Sequence, residues 1–226
     1  MSRKFLFSSA LFGLTVAAPF AFAQETTTTT TTTTTTVDTA STARDEGAHG
    51  LFFLNGGGWS NLTDLDNAGT ARFKTGYNVG GGLGVQFTDW AALRGVYSFS
   101  RTEGRNAALA PINGQRFDRH YYGADLQFRA PMTSGFSPYL FVGGGAVTIN
   151  PSADVLFSPT GTRFNGDTFT KGAGHFGVGF EYQVPNSGFG LFAQGDGWIY
   201  KWDRYGFNRT QVDTNWGAGL SYRFGY

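Results

Sequence analysis

The chain has no cysteine, two methionines and little lysine. An exported protein without cysteine has no disulfide framework, and no thiolate is there to hold a metal. Net charge is almost absent. The first 23 residues hold two of the 17 Lys+Arg and none of the 16 Asp+Glu, so removing them leaves 15 against 16, a net charge of −1. That balance argues against nucleic acid as a partner, because such affinity comes mainly from neutralised phosphates. The apolar run from Phe5 to Ala18 is too short, at about 14 residues, for the ~20 that a helix needs to span a bilayer.

That run belongs to a secretory signal. Arg3 and Lys4 precede it, and Ala21-Phe22-Ala23 fits a small-x-small cleavage site, so the mature chain is expected to start near Gln24. Residues 24–48 differ in character. Thr26 to Thr36 are all threonine. A β-branched homopolymer has no apolar face to bury, so this stretch reads as a disordered periplasmic tether.

Glycine and aromatic residues are abundant. Glycine makes up 34 of 226 residues and aromatics 17%. An interior glycine costs a helix about 1 kcal/mol, so a helical protein is disfavoured. From Gly50 onward the pattern has a period of two. Tyr77, Val79, Leu83, Val85 and Phe87 share one face, opposite Asn78, Gly80, Gly82, Gly84 and Gln86. Trp216, Ala218, Leu220, Tyr222, Phe224 and Tyr226 likewise stand opposite Gly217, Gly219, Ser221, Arg223 and Gly225. Period two is a strand signal. Similar segments lie near 50–60, 74–87, 90–101, 117–130, 138–149, 171–184, 189–202 and 211–226. The fifth is apolar on both faces, and a bulge is expected near Gly195-Asp196-Gly197. Short, turn-like links alternate with long polar ones at 61–73, 103–116, 151–170 and 203–210.

The reading is all-β: an eight-stranded antiparallel up-and-down barrel over 49–226, crossing a membrane. Alternation alone does not say whether the apolar face points inward or to lipid. Here the opposite face is small or charged, with Arg94, Asp125, Arg129, Glu181 and Arg223, so the apolar bulk must meet another apolar phase. In lipid, a closed barrel satisfies every backbone group. Tyr77 to Phe87, and Trp216 to Tyr226, each span ten residues. At ~3.3 Å rise and ~40° tilt that is about 25 Å, the height between the aromatic girdles of a transmembrane barrel. Tyr77, Phe87 and Trp216 are therefore the expected girdle. Charges inside so narrow a barrel must pair, so an ion-pair plug is expected, Arg94 or Arg129 with Asp125 or Glu181.

The closing segment Gly219-Leu220-Ser221-Tyr222-Arg223-Phe224-Gly225-Tyr226, together with Gly80-Gly81-Gly82-Leu83-Gly84 and Gly143-Gly144-Gly145, resembles the OmpA/OmpX-like family of small outer-membrane β-barrels. The resemblance implies location in the cell outer membrane. It also implies that Tyr222, Phe224 and Tyr226 act as the C-terminal assembly signal and interface anchors. The implied partners are outer-membrane lipid and lipopolysaccharide, with the barrel-assembly machinery and periplasmic chaperones during biogenesis, for a chain that stays monomeric. Family members more often end on Phe or Trp, and Tyr226 departs from that.

Other motifs carry less. Gly172 to Gly177 fits G-x-G-x-x-G, but a strand follows where nucleotide binding needs a helix. Asp64-Leu65-Asp66-Asn67 resembles the start of a calcium loop, but Thr75 stands where the bidentate carboxylate belongs. His49, His120 and His175 lack metal spacing. His120 beside Asp118 is the one rim candidate for catalysis, and no Ser accompanies it. The expectation is a non-enzymatic protein without cofactor or metal. It acts through its loops, with Phe157, Phe164 and Phe169 as contact candidates. A narrow small-solute or ion channel is the alternative, and a lipid-modifying enzyme a lesser one.

Overall fold

The computed structural model describes residues 48–65, 69, 71–106, 114–130, 135–152, 155–157 and 163–225. The signal segment and threonine tract lie outside these residues. Eight long strands form the wall: β1 (His49–Asn61), β3 (Gly76–Thr88), β4 (Ala91–Asn106), β5 (Arg116–Arg129), β6 (Phe136–Pro151), β9 (Phe169–Gln183), β10 (Phe189–Trp202) and β11 (Arg209–Arg223). Three short strands, β2 (Ala71–Phe73), β7 (Val155–Phe157) and β8 (Arg163–Asn165), lie in the long links.

Each long strand pairs antiparallel with the next, and β11 returns to β1. The sheet closes, so no long strand leaves an unpaired edge. The short connections gather at one end of the barrel and the long ones at the other. β2 extends the wall at the long-link end by pairing with the tip of β4, and β7 pairs with β8 as a small hairpin.

The register fixes the barrel's shape. Paired residues followed once around the wall run Leu51, Gly84, Arg94, Asp125, Gly143, His175, Trp198, Asp213 and Asn61. The line returns to β1 ten residues above its start. Ten residues of stagger over eight strands give a tilt of about 40°, inside the normal range for closed barrels.

Alternation then sorts the side chains. Val79, Leu83, Leu126, Leu140, Val178, Leu191 and Leu220 are exposed on the outer wall, with Tyr77, Phe87 and Trp216 among them. Glycine and aromatic residues interlock inside. The Phe53 ring lies over Gly82, and the Phe192 ring over Gly219. A side chain at either glycine would occupy the ring's position, which is why the two residue types alternate through these strands.

Three details differ from the sequence reading. No bulge occurs near Gly195: β10 keeps one register with both neighbours. Its even-numbered residues, Phe192 to Trp202, all turn inward. The inward face becomes aromatic above Asp196, and that change of chemistry mimics a change of phase. The irregularity instead falls between Gln86 and Thr88, where β3 meets β4. The final strand stops at Arg223. Phe224 lies past it, and Gly225 has φ of +78°, a left-handed conformation that glycine adopts freely. Tyr226 lies outside the described residues.

Candidate functional site: a filled lumen

The helical line of paired residues brings Arg94, Asp125, His175, Trp198 and Asp213 onto one continuous inward stripe. The side chains along it link into a network. At the short-turn end, Arg129 and Arg223 both bind Glu181, the latter at 2.7 Å, and Ser221 donates to the same carboxylate at 2.5 Å. At mid-height, Arg94 donates to Asp125 at 3.1 Å. Asp125 and Asp196 hold the two ring nitrogens of His175 at 2.7 and 3.3 Å. The ring itself stacks on Trp198, with centroids 3.9 Å apart. Asn215 donates to Asp196 at 2.8 Å. The expected residues Arg94, Asp125, Arg129, Glu181 and Arg223 therefore meet, in two groups.

A third group lies nearer the long links. Tyr121 and Tyr200 donate to Asp213 at 2.7 and 2.8 Å, and Asn61 donates at 2.5 Å. Arg119, fully buried, has its Nε 3.6 Å from Asp213. Its guanidinium lies over the rings of Trp59 and Phe73, 4.4 and 4.1 Å from their centroids. Four buried arginines, Arg94, Arg119, Arg129 and Arg223, share the lumen with four carboxylates, Asp125, Glu181, Asp196 and Asp213, and His175 bridges two of these, Asp125 and Asp196. A buried charge persists only when so compensated.

Above this group the lumen is aromatic. Phe117, Trp198, Tyr200 and Trp202 from the wall pack with Leu65 and Ala71 from the first long link, and with Tyr205 and Phe207 from the last. Phe73 of β2 reaches in against Trp59, Phe117 and Trp202. Two of the long links thus fold into the barrel mouth and cover it. Burial pushes the Tyr205 hydroxyl up to about 12. Asp203 beside it is held below the usual carboxylate range by a hydrogen bond from Lys171. Two internal cavities, one beside Tyr139 and Glu181 and one beside His175 and Asp196, measure about 20 Å³ each. That is room for about one water apiece.

The family model for the outer membrane protein beta-barrel domain matches residues 8–224. The chain belongs to that family. A search of the curated proteins finds no match. Among solved structures, this outer-membrane barrel is similar to Neisserial surface protein A, at 15% identity and TM-score 0.49, over 79% of this chain and 97% of that one. It is similar to Ail, the attachment invasion locus protein of Yersinia pestis, at 16% identity and TM-score 0.46, over 79% and 99%. It is also similar to OprG from Pseudomonas aeruginosa, at 15% identity and TM-score 0.42, over 80% and 99%.

The remaining candidates of the outer-membrane barrel fall into place by strand parity. Phe169 is a correction. It opens β9 and is buried against Trp202 and Tyr205, at 5.2 and 5.7 Å, so it is a lumen residue and not a loop contact. The side chains of Phe157 and Phe164 lie outside the described residues. His120 and Asp118 do not form a catalytic pair. Both oxygens of Asp118 accept from Arg101 at 2.7 Å, and His120 Nδ1 meets the Tyr97 hydroxyl at 2.8 Å, on the outer wall. Asp64, from the calcium-like stretch, pairs with Arg72 at 2.9 Å. Tyr222 and Phe224 pack edge-to-face at 4.9 Å, and the Phe224 N–H donates to the Gly50 carbonyl at 2.8 Å.

Sequence reasoning missed His175, Asp196, Arg119 and Asp213. His175 was weighed only for metal spacing to other histidines, yet its partners are carboxylates 50 and 21 residues away. The available signal was parity. Asp196 shares a face with Trp198 and Tyr200, and Asp213 shares one with Arg223.

Proposed function

We propose that the protein is a non-enzymatic outer-membrane scaffold that presents its long links at the cell surface and conducts no solute. The observation that carries this reading is the filled lumen: ion pairs below, aromatic packing above, and cavities of about 20 Å³ beside Glu181 and beside His175, with the larger cavity of about 500 Å³ lying at the mouth beside Phe169 and Tyr205. An eight-stranded barrel has an interior just wide enough for its side chains. Transport needs a continuous wet path, and the covering links stand across it. In this reading the signal segment is removed before Gln24. Periplasmic chaperones and the barrel-assembly machinery read Tyr222, Phe224 and Tyr226, and the barrel then works as a monomer among lipopolysaccharide and other outer-membrane lipid. The closed sheet supports monomeric behaviour, because its eight long strands pair all the way round and leave no long edge to a second copy.

Protease treatment of intact cells tests display. Cuts are expected only within the four long links, leaving a protected barrel. Cuts confined to the three short turns, in intact cells, would overturn the reading.

A further inference from the structure

His175 stands at mid-height on the inward face of β9, and both of its ring nitrogens meet a carboxylate. Nδ1 lies 2.7 Å from Asp125 of β5, across the lumen, and Nε2 lies 3.3 Å from Asp196 of the neighbouring β10. A neutral imidazole has one N–H and one lone pair, and an ionised carboxylate only accepts. One of the two contacts would then set a lone pair against an anion. Both contacts are satisfied by a proton on each ring nitrogen, or by a proton on one of the carboxyl groups.

The other neighbours place that proton. Arg94 donates to Asp125 at 3.1 Å and keeps it ionised. Asn215 donates at 2.8 Å to the same Asp196 oxygen that meets the ring, and Gln194 donates to the other oxygen at 3.3 Å. Both carboxyl groups are acceptors throughout, so the proton belongs to the ring. Charge agrees: among the described residues, Asp125 and Asp196 have Arg94 and His175 as their ion-pair partners, and they balance two to two when His175 is a cation. The aromatic surroundings agree as well. Trp198 stacks on the ring with centroids 3.9 Å apart, and Phe141 lies 5.1 Å away, within the distance at which an aromatic face attracts a cation.

The elements packed around His175 bring Arg94 from β4, Asp125 from β5, Phe141 from β6, Asp196 from β10 and Asn215 from β11. The next ion pairs are made among themselves, Glu181 with Arg129 and Arg223 at the short-turn end, and Asp213 with Arg119 toward the long links. Tyr139 is joined to Asp196 through Gln194, at 3.2 Å, and phenols ordinarily titrate near 10, well above histidine at about 6.5.

We infer that His175 is a proton-dependent clasp: as an imidazolium it ties β5 to β9 and β10 across the lumen, and alkali releases it. The clasp uses the geometry of the lumen and does not depend on the barrel being a scaffold or closed to solute. Withdrawing the proton leaves two buried carboxylates to one arginine. The unfolded chain, with all these groups in water, has no such contact to lose. Stability should therefore fall as the pH rises from about 6 to about 9.

The test uses the full chain, refolded into phosphatidylcholine vesicles and heated at about pH 6 and about pH 9, with unfolding followed by gel migration. The native midpoint is expected to fall by about 5 °C or more at the higher pH. H120Q, on the outer wall, should show the same fall, and H175Q a fall under about 1 °C. In D196N an amide N–H can meet the ring's lone pair, so most of the fall should disappear, and this variant decides if H175Q gives no folded band. The chain has three histidines, so in H49Q/H120Q made with nitrogen-15 histidine His175 is the one labelled ring. It should show two N–H groups at about pH 7. A native midpoint equal at the two pH values would overturn the proposal. So would an equal fall in H175Q or D196N and the native chain, or a single N–H on His175 in the folded barrel.

Discussion

Asp125 is the residue on which the lumen depends most. Its carboxylate holds Arg94 on one oxygen and His175 on the other, all three buried. Removing one partner of a buried pair leaves a charge without compensation, which costs about 3–5 kcal/mol, whereas replacing both partners by apolar groups of similar size is often neutral. D125A is therefore expected to lower the urea midpoint of the refolded barrel strongly. The double variant R94M/D125L should recover most of the loss. The charges themselves were legible in the sequence, since they alternate with apolar residues and so had to face inward. Their pairing was legible only as a set of options. Register decides it: Arg94 stands directly opposite Asp125, while Glu181 faces β10 and reaches Arg129 and Arg223 across the barrel end. Arg119 illustrates what stayed hidden. A fully buried arginine enclosed by Trp59 and Phe73 requires that a short strand of a long link join the wall and turn the Phe73 ring inward, and no local pattern announces that.

Strands were the most readable level, because a period of two is visible without partners. β10 runs over the residues its sequence pattern marks, Phe189–Trp202. β4 and β6 run further than their patterns, to Asn106 and Pro151, because the extensions stand above the lipid, where no apolar face is needed. Phe169 was misread for the same reason: it belongs to a strand that continues past the membrane and turns the ring inward. Glycine placement gives a prediction at this scale. In G82V the new side chain collides with the Gly95 backbone carbonyl and the Phe53 ring, and overpacking of this kind costs about 1–3 kcal/mol. Gly172 has open space where a Cβ would stand, so G172V should be tolerated. The heat-modified gel shift of the two variants, measured side by side, reads the difference directly. At the end of β11, F224S/Y226S should reduce the amount of barrel recovered in the outer-membrane fraction several-fold. Phe224 closes the strand onto Gly50 and carries the proposed assembly signal, and unchanged outer-membrane levels would remove these residues from that role.

The whole molecule is a tilted, closed wall around an interior that its own side chains fill. Fold class and membrane location followed from the sequence through one argument: apolar bulk opposite charge, repeated across eight segments. What the sequence understated was the interior. It predicted small and charged residues there, and the long-link end of the lumen is aromatic instead, packed with Leu65, Ala71 and Phe73 from one link and Tyr205 and Phe207 from another. That aromatic seal bears on function more than the ion pairs do, since charged side chains can line a wet path and packed rings leave none. Planar-bilayer recording of the refolded protein addresses this claim most directly. The filled lumen predicts no current steps above lipid leak at ordinary salt and voltage. A steady unitary conductance that changes in an R94Q or E181Q variant would contradict it and make the barrel a channel.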